Sequence, residues 1–171
     1  GNERGVRIGE PGKLNVGPTK VFINFSRIFD NKKTYSGTDG SVYGGIINYS
    51  QAEVSAENNW FGCNPGPGGS SRCNRVISVE GFIDAIPWLT LTAETPQDAI
   101  DSHASAEVTA SLLVNSNGLT PSTTKTVPDT TPVQFSATEG AFNPIDSFTL
   151  TGISSSTFTA AGTAASDSLC V

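Results

Sequence analysis

Two stretches of this chain superpose with an offset of 33 residues. "TKVFINFSRIFDN" (19–31) overlays "AEVSAENNWFGC" (52–63), so that Val21 matches Val54, Ile23 matches Ala56, Ser26 matches Asn59 and Ile28 matches Phe61. Each stretch has two apolar residues two apart, then a small polar residue, then an apolar residue. Apolar residues two apart put both side chains on one face of a strand. A polar residue followed by a resumed apolar face is what a chain shows at a corner. Repeats of this length that cannot bury their own face must stack on their neighbours. The offset therefore predicts Val21, Ile23 and Ile28 stacked on Val54, Ala56 and Phe61, about 4.8 Å apart. "KKTYSGTDGSVYGG" (32–45) would be a loop bulging from one coil. Two ordinary strands would show the same pattern by coincidence, and with two copies both readings stand.

Composition agrees with strands. Among 171 residues, apolar types make up 36% and charged types only 15%, with no Met and a single His. The abundance of Gly, Ser, Thr and Asn favours strands and turns over helices. Apolar runs stay well short of the roughly 18 residues that span a bilayer, so no membrane insertion is expected. The chain does not begin with Met and shows no signal peptide, as expected of a mature product or a fragment. The net charge of −6 is unevenly placed: every Lys and Arg but Lys125 precedes Pro87, while the acids divide equally. This asymmetry predicts two domains, 1–86 and 87–171. The acidic second half argues against nucleic acid as a partner.

"VFINFSRIFDN" resembles one coil of a right-handed parallel β-helix, in which V-x-I-x-x-N-x-I-x-x-N recurs. "NNWFGCNPGPGGSSRC" (58–73), followed by "VEGFIDAIPWLTL", resembles the closing segment of bacterial extracellular β-helix proteins. The resemblance covers about residues 5–90. It implies a short solenoid end, closed by a Gly/Pro loop with Trp60, Phe61 and Trp88 as capping aromatics.

Cys63 and Cys73 flank that loop. A metal site needs further ligands, and the sole histidine, His103, lies far along the chain. A redox pair usually reads C-x-x-C, which is absent. A structural disulfide fits best, pinning a flap over the last coil with Trp60 and Phe61 beneath. Disulfides persist in oxidising surroundings, so the expected location is extracellular or at a cell surface.

From Pro87 the texture changes. "WLTLTAET", "AEVTASLLVN", "TPVQFSAT", "DSFTLTGI" and "SSSTFTAAG" alternate, with turn signals between them. Short alternating runs at such intervals read as an antiparallel sandwich. Their order resembles bacterial immunoglobulin-like domains of the invasin/intimin type, which serve as spacers in surface proteins. Against that pattern, "ASDSLCV" supplies an outgoing strand and the last strand is missing. A sheet lacking an edge invites strand addition. This leads to an expectation of head-to-tail self-association, with residues 1–17 as a donor strand or, equally, as a first coil. Cys170 is then a small buried residue, half of a bond to another chain, or the partner of a cysteine elsewhere.

Catalytic constellations are sparse. Asp30, Lys32 and Lys33 near one corner, with Glu53 and Glu57 on the matching coil, read as solvated turn charges rather than a lyase or glycosidase site. His103, in "DSHAS", reads as a turn residue. "GTDG" (37–40) lacks the acidic spacing of a calcium loop. Asn24 and Asn48 occupy N-x-S sequons, which matter only in a glycosylating source. Ser and Thr on exposed strands would be solubilising or carry O-glycans. The sequence thus points to an all-β, non-enzymatic extracellular stalk, adhesin segment or fibre subunit. It would have no cofactor and no metal, and its partners would be copies of itself, other surface proteins or glycans. The alternatives are the non-catalytic end of a secreted polysaccharide lyase or hydrolase, and a carbohydrate-binding module using Tyr35, Tyr43 and Tyr49.

Overall fold

The computed structural model describes residues 5–13, 20–31, 44–70, 73–97, 99–162 and 169–170. Among these the chain is all-β, with parallel and antiparallel sheets and no helix. Residues 1–4, 14–19, 32–43, 71–72, 98, 163–168 and 171 lie outside the description. They include Leu14, Val16, Lys32, Lys33, Tyr35, Tyr43 and the "GTDG" stretch.

The first six strands are β1 (Val6–Ile8), β2 (Lys20–Phe22), β3 (Gly44–Asn48), β4 (Glu53–Ser55), β5 (Arg75–Ser78) and β6 (Phe82–Asp84). They form two three-stranded parallel sheets, ordered β1-β3-β5 and β2-β4-β6. The chain therefore passes through both sheets three times. Val21 pairs with Val54, and Val54 with Ile83. Val6 pairs with Ile46, and Ile46 with Val76. The 33-residue register persists beyond β2: the Ile23 amide donates to Ser55 O at 2.8 Å and Ile28 to Trp60 O at 2.8 Å, with Arg27 bridging Trp60. The third pass is shorter, which removes the 33-residue offset and hides it from the sequence.

In β1 and β2 more and less buried residues alternate, as strand geometry requires, whereas the central strand β3 is buried at all five positions. Ile28, Ile46, Val54, Ala56, Phe61 and Ala85 make one buried cluster, with Val21 and Ile23 packed against it. The passes lie close: a Cβ on Gly45 would meet Arg75 O at 2.9 Å and Asn74 Cβ at 3.0 Å. Glycine there lets β3 approach β5, and the register slips between Gly44 and Ile46.

The chain then continues through β7 (Leu89–Glu94), β8 (Ser105–Asn115), β9 (Pro132–Gln134), β10 (Ser136–Ala137), β11 (Ala141–Asn143), β12 (Asp146–Phe148), β13 (Ile153–Thr159) and β14 (Leu169–Cys170). An antiparallel sheet runs β11-β13-β8-β7, and the pairs β9-β12 and β10-β14 complete the strands described. Val108 and Ala110 of β8 pack with Val133, Phe135, Phe142 and Phe158. Phe142 lies between Phe135 and Phe158, its centroid 5.3 Å from each. The alternating runs expected from Pro87 onward thus supply these inward apolar residues.

β13 buries two serines where its neighbours bury apolar residues. Ser156 Oγ donates to Pro144 O at 2.5 Å. Ser154 Oγ is buried with no hydrogen-bond partner among the described residues. A buried hydroxyl without a partner costs about 1–3 kcal/mol. Ser154→Ala is therefore expected to raise stability by about 1 kcal/mol, read as a shifted urea midpoint at unchanged slope. A loss of stability would show that the hydroxyl is satisfied.

Candidate functional site

Residues 58–64 and 86–91 form a single construction where the parallel sheets meet the antiparallel one. The parallel ladder does not stop at β6. Ala56 donates to Asp84 O at 2.5 Å, Asn58 to Pro87 O at 2.6 Å, and Leu89 to Asn59 O at 3.0 Å. The third pass thus delivers the chain directly into β7, whose Leu89 pairs with Asn115 of β8.

Asparagines hold the corners. Asn59 is fully buried. Its Oδ1 accepts from the Ser26 amide at 2.8 Å, and its Nδ2 donates to Ala56 O at 2.6 Å and to Ile23 O. At a corner the backbone turns out of the sheet and loses its ladder partner. A buried backbone group left unpaired is costly, and the short amide side chain replaces that partner. Asn48 does the same for Ser50 and Ala52, through bonds of 2.9 Å to each. Asn31 donates through Nδ2 to Asn74 Oδ1 at 2.5 Å.

The predicted capping aromatics separate. Phe61 is wholly buried in the coil core. Trp60, its neighbour, enters a second cluster with Leu89, Leu112 and Val127, facing the antiparallel sheet. Trp88 is the residue that the flap covers: its Nε1 donates to Asn64 O at 2.9 Å. A Cβ on Gly66 would overlap the Trp88 indole, and Gly66 has φ +83°, so only glycine fits there. Trp60 and Phe61 are both buried, and Trp88 meets Asn64 and Gly66 of the flap.

Cys63 and Cys73 are joined in a disulfide with Cα atoms 5.5 Å apart, and Cys73 is buried. The flap it closes carries Asn64, which the sequence did not single out. Asn64 Oδ1 accepts from the Leu91 amide at 2.6 Å, and its Nδ2 donates to Leu91 O at 2.8 Å. One side chain thus satisfies both backbone groups of an edge residue of β7, as a neighbouring strand would. Opening the eleven-residue loop by Cys63→Ser with Cys73→Ser is expected to cost about 2–3 kcal/mol. It should also loosen Leu91, read as faster amide exchange there than in the β8–β13 ladder. Unchanged exchange at Leu91 would separate the flap from β7.

Further contacts tie the halves together. Arg27 donates to Thr130 O at 2.7 Å, and Asn115 Nδ2 to Asn58 Oδ1 at 3.0 Å. Beside the Arg27 contact, a groove of about 570 Å³ is lined by Phe29, Asp30, Asn31, Thr130 and Phe148. Cys170 lies in β14 opposite Ser136 of β10.

The remaining candidates do not converge. His103 occupies a tight turn, with φ 61°. Glu53 pairs with Lys20 at 3.7 Å in the open. Tyr49 is buried, which removes it from a surface sugar platform. No group of three or more His, Cys, Asp or Glu fit to hold a metal occurs among the described residues. Among the described residues the exposed aromatics are Phe22, Phe82 and Phe148. Sequence reading passes over them because Phe on a predicted strand is ordinarily assigned to the core. The sequons also differ. Asn24 is exposed, while Asn48 is fully buried. In a glycosylating host, folded secreted protein is expected to carry glycan at Asn24 and none at Asn48 by peptide mass spectrometry. Occupancy of Asn48 would contradict its burial.

No family model matches the chain, and no curated protein or solved structure shows significant similarity to it. No helix among the described residues is long and apolar enough to cross a membrane.

Proposed function

We propose that this chain is a non-enzymatic, extracellular structural or adhesive module. It reads as the end of a right-handed parallel β-helix joined rigidly to an immunoglobulin-like sandwich, a segment of a surface stalk or adhesin. The observation that carries this reading is the junction. The third parallel pass runs into β7 without a linker, and Trp60, Leu89, Leu112 and Val127 share one buried cluster across the join. Domains joined by flexible linkers reorient freely. A shared core with a continuous ladder transmits orientation and tension, which suits a spacer that must hold a binding surface away from a cell. The Cys63–Cys73 disulfide supports an oxidising compartment.

A second reading, assembly into a fibre, draws on another observation. Ile145, Phe148 and Leu150 are exposed beside the two-stranded β9-β12 sheet. Short sheets with open edges and apolar surface recruit strands from other chains. Sedimentation at micromolar concentration separates a stalk, which stays monomeric, from a fibre subunit, which does not.

The rigid-spacer reading predicts one cooperative unfolding transition for both halves, seen alike by Trp fluorescence and far-UV dichroism. Trp60→Ala should lower stability by about 3–5 kcal/mol and split the transition in two. Two transitions in the unaltered protein would overturn the reading.

A further inference from the structure

The outward face of the β2-β4-β6 sheet carries side chains that stand mostly clear of the junction: Asp84 Oδ1 accepts from the Ile86 amide at 3.2 Å and Ser55 Oγ lies 3.5 Å from Asn24 Oδ1, which leaves further acceptor sites on each. Strict parallel register arranges them as a grid. Lys20, Glu53 and Phe82 form one row, and Phe22, Ser55 and Asp84 the next. The two phenylalanines are 73% and 61% exposed, at opposite corners of the grid. From strand spacing and rise, their Cα atoms are about 12 Å apart. Between them lies a shallow trough of about 360 Å³, bounded by Phe22 and Phe82 and lined by Lys20, Glu53, Ser55 and Asp84.

We propose that this face binds a neutral polysaccharide, with Phe22 and Phe82 as two stacking platforms and Glu53, Ser55 and Asp84 as hydroxyl partners between them. The inference rests on the reading of the chain as an adhesive surface module, and gives that module a ligand class. Three features select the ligand. First, the Cα atoms that carry the rings are separated by roughly the length of a disaccharide, and a sugar offers flat C–H faces to an aromatic ring at such intervals. Second, the groups between the rings are two carboxylates and a hydroxyl. The cores of protein interfaces are depleted in charge, whereas carboxylates accept hydrogen bonds from sugar hydroxyls. Third, the sole cation of the grid, Lys20, lies 3.7 Å from Glu53. The face therefore carries a net negative charge, which disfavours an acidic polymer. The sheet backbone beneath is fixed by two parallel ladders, so the spacing of the residues that carry the platforms is set before binding. Preorganisation of this kind lowers the entropy lost on association.

The test is affinity electrophoresis of the full chain in native gels containing hydroxyethylcellulose, galactomannan, arabinoxylan or polygalacturonate, with light scattering in parallel. At least one neutral polymer is expected to retard the protein. Phe22→Ala and Phe82→Ala should each weaken retardation about tenfold, the double variant should abolish it, and Phe22→Tyr should preserve it. Both rings are exposed, so the variants should keep the parent melting temperature. Retardation by none of the polymers, or by polygalacturonate alone, overturns the proposal. So does a dimer that the double variant dissociates, which would make the face a contact between copies. The unfolding experiment reads the junction and does not involve these rings, so the two proposals fail separately.

Discussion

The buried side chain of Asn59 is the interaction on which the rest of this structure depends. It closes the corner between β4 and Trp60 by bonding Ser26, Ile23 and Ala56. That corner fixes the direction of three consecutive functions. Asn58 reaches Asn115 of the antiparallel sheet, Trp60 enters the junction cluster, and Phe61 fills the coil core. Without the amide, the buried Ala56 carbonyl would lose a partner at a cost of about 1–3 kcal/mol, and the part-buried Ser26 amide and Ile23 carbonyl would each lose one as well. The adjacent aromatics would also lose their fixed, opposed directions. The same device recurs at Asn48 and in the Asn31–Asn74 pair. This is the physical reason that a chain of modest apolar content places asparagine, among the more polar residues, at zero exposure.

The junction solves an edge problem. A parallel stack ends in unpaired backbone groups, and so does an antiparallel sheet. Here β7 continues the last parallel pass at its start, pairs with β8 along its length, and has its outer edge met by Asn64. The disulfide closes the flap that carries Asn64, and turn bonds such as Gly69 N–H to Gly66 O at 3.0 Å and Gly68 N–H to Asn74 O at 3.1 Å fold it back toward that edge. The flap, Trp88 and β7 are therefore coupled, and a change at one is felt at the others.

Much of this was legible in advance, for identifiable reasons. Val21 over Val54 followed from a matched pair of stretches, since the parallel register of the first two passes is constant. The disulfide followed from two cysteines across a bendable loop. The alternating strands of the second half followed from period-two patterning, and β8 shows it over eleven residues. Other features left no local signature. Phe22 and Phe82 look like core residues until the register puts Val21 and Ile83 inside and so turns them out. Asn64 looks like an ordinary loop residue until the flap folds back on Leu91. Tyr49 looks like a surface aromatic, but burial on β3's exit removes it.

The sequence by itself determined the all-β class, the stacking of one pass on the next, and the oxidised loop. Each of these is written in spacing, and spacing is local. Tertiary structure alone decided which side of each aromatic pair faces the core, how the two halves pack through Trp60, Leu89, Leu112 and Val127, and which of the described residues are left facing water. Those outcomes depend on the relative placement of strands far apart in sequence. A shift of one residue in register would exchange every inward side chain for an outward one.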